Sequence, residues 1–399
     1  MNLRTLDNLD LKGKVVFLRC DLNVPLDNKG KVTDITKIKR HKGTIDELIH
    51  KKAKILIISH LGRPKGKEVE ELSLNKISDE FVKVMNIKEI TVLPFCRPNI
   101  IKSVLEEKQE GSVTLMENIR FYPEEEKNDE SFARELSAIG DYYINDAFSV
   151  SHRKHLSTFS LSKFLPSYLG RSLELELTML SKIHENINKP VMAIIGGSKI
   201  STKINLLSNL VKKVDFLVIG GAMANTFLLE KEFNIGNSLV ENDKIDVVKN
   251  VLQKAKENNC SIILPKEVVV SKNLNGREEA KNIDISKMDN DLAIYDIGEK
   301  TIEEICNTAS NCKTIFWNGP LGVYENPPFD NSTNVIGRTI AILTKAKIVT
   351  SVVGGGDTVA ALNNAELTGG FSYVSIAGGA LVEWLEGKKL PGLLFLENL

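Results

Sequence analysis

The sequence predicts an α/β protein built as two doubly wound, mainly parallel-sheet domains. Three observations carry that prediction. Short apolar runs rich in β-branched residues recur along the chain, and most are followed by a stretch long enough for an amphipathic helix. The runs are apolar throughout instead of alternating, as strands buried on both faces of a parallel sheet must be. A chain of 399 residues also exceeds what one hydrophobic core serves, so it needs more than one domain.

In chain order, the first half offers VVFLR (15–19), KILIISH (54–60), SVTLM (112–116) and YYIND (142–146) as strands. Next comes PSYLGRSLELELTMLSKIHENINKP. In it Leu173, Leu177 and Leu180, spaced by four and three, form the apolar stripe of a helix. Pro166 and Pro190 bracket this segment, so it reads as a connecting helix between domains, with the boundary around 165–190. The second half offers PVMAIIGG (190–197), DFLVIGG (215–221), SIILP (261–265), TIFWNGP (314–320), KIVTSVVGGG (347–356) and YVSIAGG (373–379). With no low-complexity linker, the two domains are expected to be closely coupled.

Charge and composition exclude several function classes. Lys+Arg and Asp+Glu are both 52. That balance argues against a dedicated nucleic-acid binder, which needs a basic excess or a long basic run. No apolar stretch approaches the roughly 18 residues of a membrane span, and the amino terminus, MNLRTLDNLDLKGK, is polar and charged. The five cysteines form no CxxC pair, so they are expected to be reduced thiols of a cytoplasmic protein.

The candidate sites follow the strands. Five glycine-rich turns, IIGGSK, VIGGAMA, WNGPLG, VVGGGDT and IAGGA, each close an apolar run and would share the carboxyl edge of one sheet. Glycine lets backbone N–H groups approach a phosphate, and the following helix directs its positive end at it. Lys199 and Lys203, at i and i+4 of an expected helix start, would share one face there and need an anion. Asp357, in GGGDT, begins a helix. It reads either as a simple cap or as a carboxylate for Mg²⁺ on bound phosphates. The P-loop, the dinucleotide GxGxxG and the protein-kinase motif set are all missing, as are GxSxG and HExxH.

Eight of the eleven arginines lie within residues 1–170, which asks whether the first half holds a small anion. HLGRP brings His60 and Arg63, ENIRFYPEEE brings Arg120, and INDAFSVSHRKH brings His152 and Arg153. LRCDLNVP adds Asp21 and Asn23, each of these clusters lying just past an expected strand. Together they suggest a basic pocket with one carboxylate and one amide for a hydroxyl-bearing anion.

Read in order, LRCDLNVP, SHLGRP, LMENIRFYPEEE, NDAFSVSHRKH, IIGGSKISTKI, IGGAMANTF, WNGPLGVYE, VVGGGDT and AGGALVEWLEGKKLPG resemble the phosphoglycerate kinase family over roughly residues 3–396. The resemblance implies a phosphoglycerate-binding domain (1–171), a hinge helix (172–188) and a nucleotide-binding domain (189–389), with residues 390–399 packing back on the first. It implies glycolytic, Mg²⁺-dependent phosphoryl transfer between 1,3-bisphosphoglycerate and ADP, giving 3-phosphoglycerate and ATP, in a cytoplasmic monomer. Carried over by motif, Asp21 and Asn23 would hold the glycerate. His60, Leu61, Gly62, Arg63, Arg120 and Arg153 would surround its 3-phosphate. Lys37 would bind the substrate and the transferring group, and Lys199 and Lys203 would contact the nucleotide phosphates and the transferring group. Gly220 and Gly221 would wall the adenine, Glu325 would hold the ribose, and Gly355, Gly356, Asp357 and Thr358 would line the nucleotide phosphates, with Asp357 reaching Mg²⁺.

The sequence departs from the family pattern at a few places. ITKIK has Lys37 where the pattern has arginine, which keeps the charge but loses the bidentate fork. Lys37 is therefore expected to work more weakly, with Arg40, one turn on, as a possible substitute. Thr202, Ile376, Ala377 and Ser149 also stand where the pattern commonly has other residues.

Overall fold

A computed structural model describes residues 3–184, 188–275 and 279–396. Residues 185–187 of the expected hinge helix and 397–399 of the expected tail lie outside the described residues. Backbone contacts divide the chain into two compact units, Met1–Thr178 with Lys389–Leu399, and Met179–Lys388.

The first unit is built on six strands: β1 (Val15–Arg19), β2 (Lys54–Ile58), β3 (Thr91–Val92), β4 (Val113–Leu115), β5 (Tyr142–Asn145) and β6 (Ser167–Leu169). They lie in the order β3-β4-β2-β1-β5-β6, and every pairing is parallel. Side chains of a strand alternate between faces, so a run apolar at every position feeds two cores. Val16 and Leu18 pack with Ile55, Ile57 and Phe81 on one face, while Phe17 packs with Leu56, Ile58 and Tyr143 on the other.

The second unit carries β7 (Val191–Ile195), β8 (Phe216–Ile219), β9 (Ser261–Ile263), β10 (Glu267–Ser271), β11 (Lys281–Asp284), β12 (Ala293–Ile297), β13 (Thr314–Asn318), β14 (Thr350–Gly354) and β15 (Tyr373–Ser375). Six form a parallel sheet in the order β15-β14-β13-β7-β8-β9. Every expected strand forms, most of them shorter than the apolar run that announces them. The sequence reading missed β3, β6 and a separate antiparallel sheet, β11-β10-β12. Its outer strand KNID is exposed or half-buried throughout, so it lacks the apolar signature of a central strand.

In a parallel sheet every strand delivers its following loop to the same edge. Central neighbours β4, β2, β1 and β5 therefore bring residues 116–120, 59–63, 20–24 and 146–153 together. Neighbours β14, β13, β7 and β8 do the same for 355–358, 319–325, 196–203 and 220–223. The helix Arg171–His184 carries the chain from the first unit toward the second. After residue 388 the chain returns: Gly392 N donates to Ser151 O at 2.8 Å, and Asn145 Nδ2 donates to Gly392 O at 2.9 Å. Among the described residues no helix is long and apolar enough to cross a membrane.

Candidate active site

The first unit's site rests on an arginine the sequence reading passed over. Arg19 ends β1 and is almost fully buried. Its Nε donates to Ser157 Oγ at 2.8 Å, Nη1 donates to the carbonyl of Cys20, and Nη2 faces His60 Nδ1 at 3.3 Å. A guanidinium can only donate, so His60 accepts at Nδ1 and carries its proton on Nε2. Burial, then the charge of Arg19, holds the His60 pKa well below the ordinary imidazole value. His60 is thus a neutral N–H donor, where the motif reading counted it in the basic patch.

Arg120 is the cation of this edge whose N–H groups are least completely answered. Its Nη1 donates to Gly62 O at 2.7 Å and its backbone N to Asn118 Oδ1 at 3.1 Å. Asn118 Nδ2 in turn donates to Leu61 O at 2.7 Å, fixing the HLGRP loop from below. Yet Arg120 Nε and Nη2 are buried without a hydrogen-bond acceptor, and the nearest carboxylate, Glu126 Oε1, is 3.7 Å from Nε. Burial, then repulsion from Arg153 and Arg19, pushes the Arg120 pKa down to about 10. Arg153 is half-buried and Arg63 exposed on the loop that Arg120 holds.

The carboxylate of this site is Asp21. Its Oδ2 pairs with Lys37 Nζ at 2.9 Å and accepts from Ser149 Oγ at 2.5 Å, and its Oδ1 accepts from Asn23 N at 3.1 Å. Burial opposes its charge, but Lys37 and the hydroxyl of Ser149 outweigh burial and keep it well below the usual carboxylate range. Asn23 Oδ1 accepts from Gly62 N at 2.8 Å, tying the loops after β1 and β2 together. Arg40 does not stand in for the missing arginine: its guanidinium is held at 3.2 Å by Glu176, which is buried on the helix Arg171–His184.

In the second unit, turns meet backbone to backbone. A Cβ on Gly196 would lie 1.9 Å from Pro320 O, and one on Gly319 would lie 2.2 Å from Gly196 O. Only glycine permits that approach. Beside these turns is a cleft of about 480 Å³, a volume usual for a small-molecule site. Gly221, Glu325 and Asp357 line it on the polar side, and Pro265, Ile294, Leu321 and Val323 on the apolar side. Gly220 packs against Leu321. A second groove of about 500 Å³, lined by Asn205, Lys212, Lys254 and Lys388, has no glycine-rich turn.

Lys203 bonds Asn318 O at 3.1 Å and also Asn318 Oδ1. Burial brings its pKa down to about 8, against the opposing pull of Asp357. The expected shared helical face of Lys199 and Lys203 is not found. Ile200–Thr202 make a tight 3₁₀ turn, Lys199 is extended and exposed, and the α-helix starts only at Ile204. Asp357 is exposed in the first turn of the helix Gly356–Asn364, behind Gly355 at φ +99°. Thr358 Oγ1 is buried, accepting from Gly319 N at 2.6 Å and donating to Gly354 O at 3.0 Å, so its hydroxyl braces two turns. Ile376 is half-buried, and in its turn Ser375 Oγ still accepts from Ala377 N at 3.2 Å. Asp296, also on the cleft, was missed; burial pushes its pKa up to about 7 while Ser332 N and Ile297 N donate to it at 3.0 and 2.9 Å.

Comparison with known proteins agrees with this architecture. A model of the family described as "Phosphoglycerate kinase" matches residues 6–388. A phosphoglycerate kinase of Chelativorans sp. (strain BNC1) is 46% identical over 396 residues, covering 99% of both chains. One of Sinorhizobium medicae (strain WSM419) is 45% identical over 399 residues, covering 100% of both. Among solved structures, the phosphoglycerate kinase of Coxiella burnetii superposes with a TM-score of 0.90 at 38% identity, covering 99% of both chains. That of Pyrococcus horikoshii OT3 gives 0.83 at 26% identity, covering 99% of this chain and 98% of that one. Sequence and backbone path agree from end to end, and the chain belongs to the phosphoglycerate kinase family.

Proposed function

We propose that the family's reaction runs here with the phosphoglycerate held at the carboxyl edge of the first unit's sheet and the nucleotide in the cleft of the second. The reaction is reversible phosphoryl transfer between 1,3-bisphosphoglycerate and ADP, giving 3-phosphoglycerate and ATP in glycolysis. The buried Arg120 guanidinium, with Nε and Nη2 lacking acceptors, is the observation that carries the site assignment. A phosphate supplies acceptors in the geometry a guanidinium fork requires. The His60 Nε2–H and the cations of Arg63 and Arg153 complete that cradle, while Asp21 and Asn23 take the glycerate's hydroxyl end.

In the ATP-consuming direction the nucleophile is the carboxylate of 3-phosphoglycerate, ionised at neutral pH. No general base is required. Catalysis then rests on aligning the two substrates and cancelling charge on the transferring phosphoryl group. Lys37, Lys199 and Lys203 supply positive charge for this, and the backbone N–H groups at Gly355 and Gly356 reach the nucleotide phosphates. No group of three or more His, Cys, Asp or Glu among the described residues is placed to hold a metal by itself. The exposed carboxylate of Asp357 fits Mg²⁺ arriving with the nucleotide, since Mg²⁺ takes one or two carboxylates plus phosphate oxygens; bound there, it would neutralise phosphate charge. Direct transfer without water further requires the two substrates to be enclosed together, and closure about the hinge segment 172–188 is part of this proposal. So are a monomeric state and a cytoplasmic setting, in which the five cysteines, all unpaired, stay reduced.

The test is magnesium-dependent transfer from ATP to 3-phosphoglycerate, drawn off by glyceraldehyde-3-phosphate dehydrogenase and followed as NADH loss. Turnover is expected in the wild type and is expected to fall at least about a hundredfold in Asp357→Ala. An Asp357→Ala enzyme with full activity at limiting Mg²⁺ removes that residue from the metal's surroundings.

Arg120→Ala should raise KM for 3-phosphoglycerate by at least about tenfold, the effect of removing one partner of a buried charge pair, with KM for ATP within about twofold. Equal increases in both constants would show that Arg120 does not belong to the phosphoglycerate side.

For Lys203, the charged form is present below about pH 8 and is lost above it. The free enzyme's kcat/KM for ATP should therefore be level below that pH and fall as pH rises through it. Lys203→Arg, which keeps its charge, should abolish the fall; a profile identical to wild type assigns the ionisation elsewhere.

Lys37→Arg restores the fork, and its kcat is expected to exceed that of the wild type. An unchanged or lower kcat ends the idea that lysine is the weaker group here.

A further inference from the structure

His41 lies outside every group assigned above, yet it joins two of the first unit's structures. It is 3% exposed between the helices Thr36–Arg40 and Lys42–His50. The backbone N of Asp21 donates to His41 Nε2 at 3.0 Å, and His41 Nδ1 lies 2.7 Å from Asp146 Oδ2. The other oxygen of Asp146 caps a helix: Oδ1 accepts from Ser172 N at 2.9 Å and Leu173 N at 3.3 Å. Those are first-turn amides of Arg171–His184, whose Arg171 N is taken by Thr44 Oγ1 at 2.8 Å. Asp146 is 2% exposed and fits only because residue 170 is glycine; a Cβ there would stand 2.2 Å from Oδ1.

These bonds fix the ring's tautomer. An amide N–H aimed at Nε2 requires a lone pair there, so Nδ1 bears the proton and donates it to Asp146. Burial opposes a second proton, but Cys20 and Asp146 outweigh it and raise the ring's pKa well above the ordinary imidazole value. A second proton would sit on Nε2, which faces the Asp21 amide at 3.0 Å and the Asp21 carbonyl at 3.4 Å. In the singly protonated ring each joint has one donor and one acceptor, and neither can reverse alone.

We propose that His41 is a positioning residue that couples the Asp21 loop to the first turn of the helix Arg171–His184 through the chain Asp21 N–H, His41, Asp146, Ser172 and Leu173 N–H. The proposal rests on the reading of Asp21 as part of the phosphoglycerate site. Occupying that site orders the Asp21 backbone, the ordered amide holds the imidazole, and the imidazole holds the carboxylate that caps the helix. The helix start is then firmest when substrate is bound. A buried polar group that loses its partner is penalised whichever end of the chain is broken.

The test combines kinetics with hydrogen exchange. In the wild type, 3-phosphoglycerate should slow exchange of the Ser172 and Leu173 amides. His41→Leu should abolish that slowing and raise KM for 3-phosphoglycerate roughly tenfold, leaving KM for ATP unchanged. His41→Gln, whose amide can accept from Asp21 N and donate to Asp146, should restore most of both. Asp146→Asn is the second probe, for the case that the leucine variant does not fold. It keeps the Oδ1 cap but turns a donor toward Nδ1, forcing the proton to Nε2 against Asp21 N. It should therefore raise KM for 3-phosphoglycerate while the helix stays capped. A purely structural role lowers thermal stability without separating the two KM values. Folded His41→Leu and Asp146→Asn enzymes with wild-type KM and wild-type protection overturn the relay. A wild type that does not bind 3-phosphoglycerate at all overturns the site reading and the relay with it. Binding and protection that resist both substitutions overturn the relay alone.

Discussion

Buried positive charge at the carboxyl edge of the first sheet is the constraint on which the rest of that unit depends. Arg19 and Arg120 are each at most 2% exposed. Removing a guanidinium from water is expensive unless its N–H groups are answered. Arg19 is answered by the Cys20 carbonyl, Ser157 and His60. Ser157 is in turn held by Glu125, which is fully buried and accepts from Ser157 N at 2.8 Å and Ser157 Oγ at 2.7 Å. This pins the π-turn Leu156–Ser160 beneath the site. Arg120 is answered only in part. The fold thus compensates one arginine internally and leaves two N–H-bearing nitrogens of the second without an acceptor. The difference between the two, more than the number of arginines, separates a structural cation from a binding one.

The second unit solves the opposite problem. A nucleotide brings its own negative charge, so the protein has to offer N–H groups and little side-chain bulk. The contact between the turns at Gly196 and Gly319–Pro320 is backbone on backbone, which brings the edge of β7 against that of β13. Asn318 then links three strands, receiving Lys203 Nζ and giving Nδ2 to Gly354 O at 2.8 Å. Lys203 is held there half-buried, and that burial lowers its pKa. Asp357, by contrast, remains in solvent.

Much of this was legible in the sequence, for identifiable reasons. Parallel strands buried on both faces must be apolar at each position, so VVFLR and VMAII announce themselves. Their loops must share an edge, so residues just past the strands were sound candidates. In the antiparallel sheet KNID, polar and at best half-buried, gives no strand signal, whereas EVVVS and AIYDI are apolar enough to have been read. Arg19 was not legible because an arginine ending an apolar run looks like the residue where the strand meets water. Spacing misled at two places. Lys199 and Lys203 stand four apart, but a 3₁₀ turn between them removes the shared face. Arg40 stands one turn from Lys37, but Glu176, 136 positions away in sequence, claims it. The first is a local backbone choice that spacing does not encode, and the second is a tertiary contact that no local pattern could have supplied.

Two departures from the family pattern meet at one oxygen. Lys37 Nζ and Ser149 Oγ both bind Asp21 Oδ2, at 2.9 and 2.5 Å, while Oδ1 is occupied by Asn23 N. An ionised carboxylate oxygen offers two lone-pair directions, and these two donors fill those of Oδ2. Lysine is a point charge with rotatable donors, so it can share one oxygen with a hydroxyl; a planar guanidinium would compete for both oxygens. The two unusual residues are therefore best understood together, as one arrangement of the same carboxylate. That carboxylate must stay charged despite burial, and the pair keeps it so. What the arrangement gives up is the set of additional N–H groups that an arginine would have aimed past Asp21.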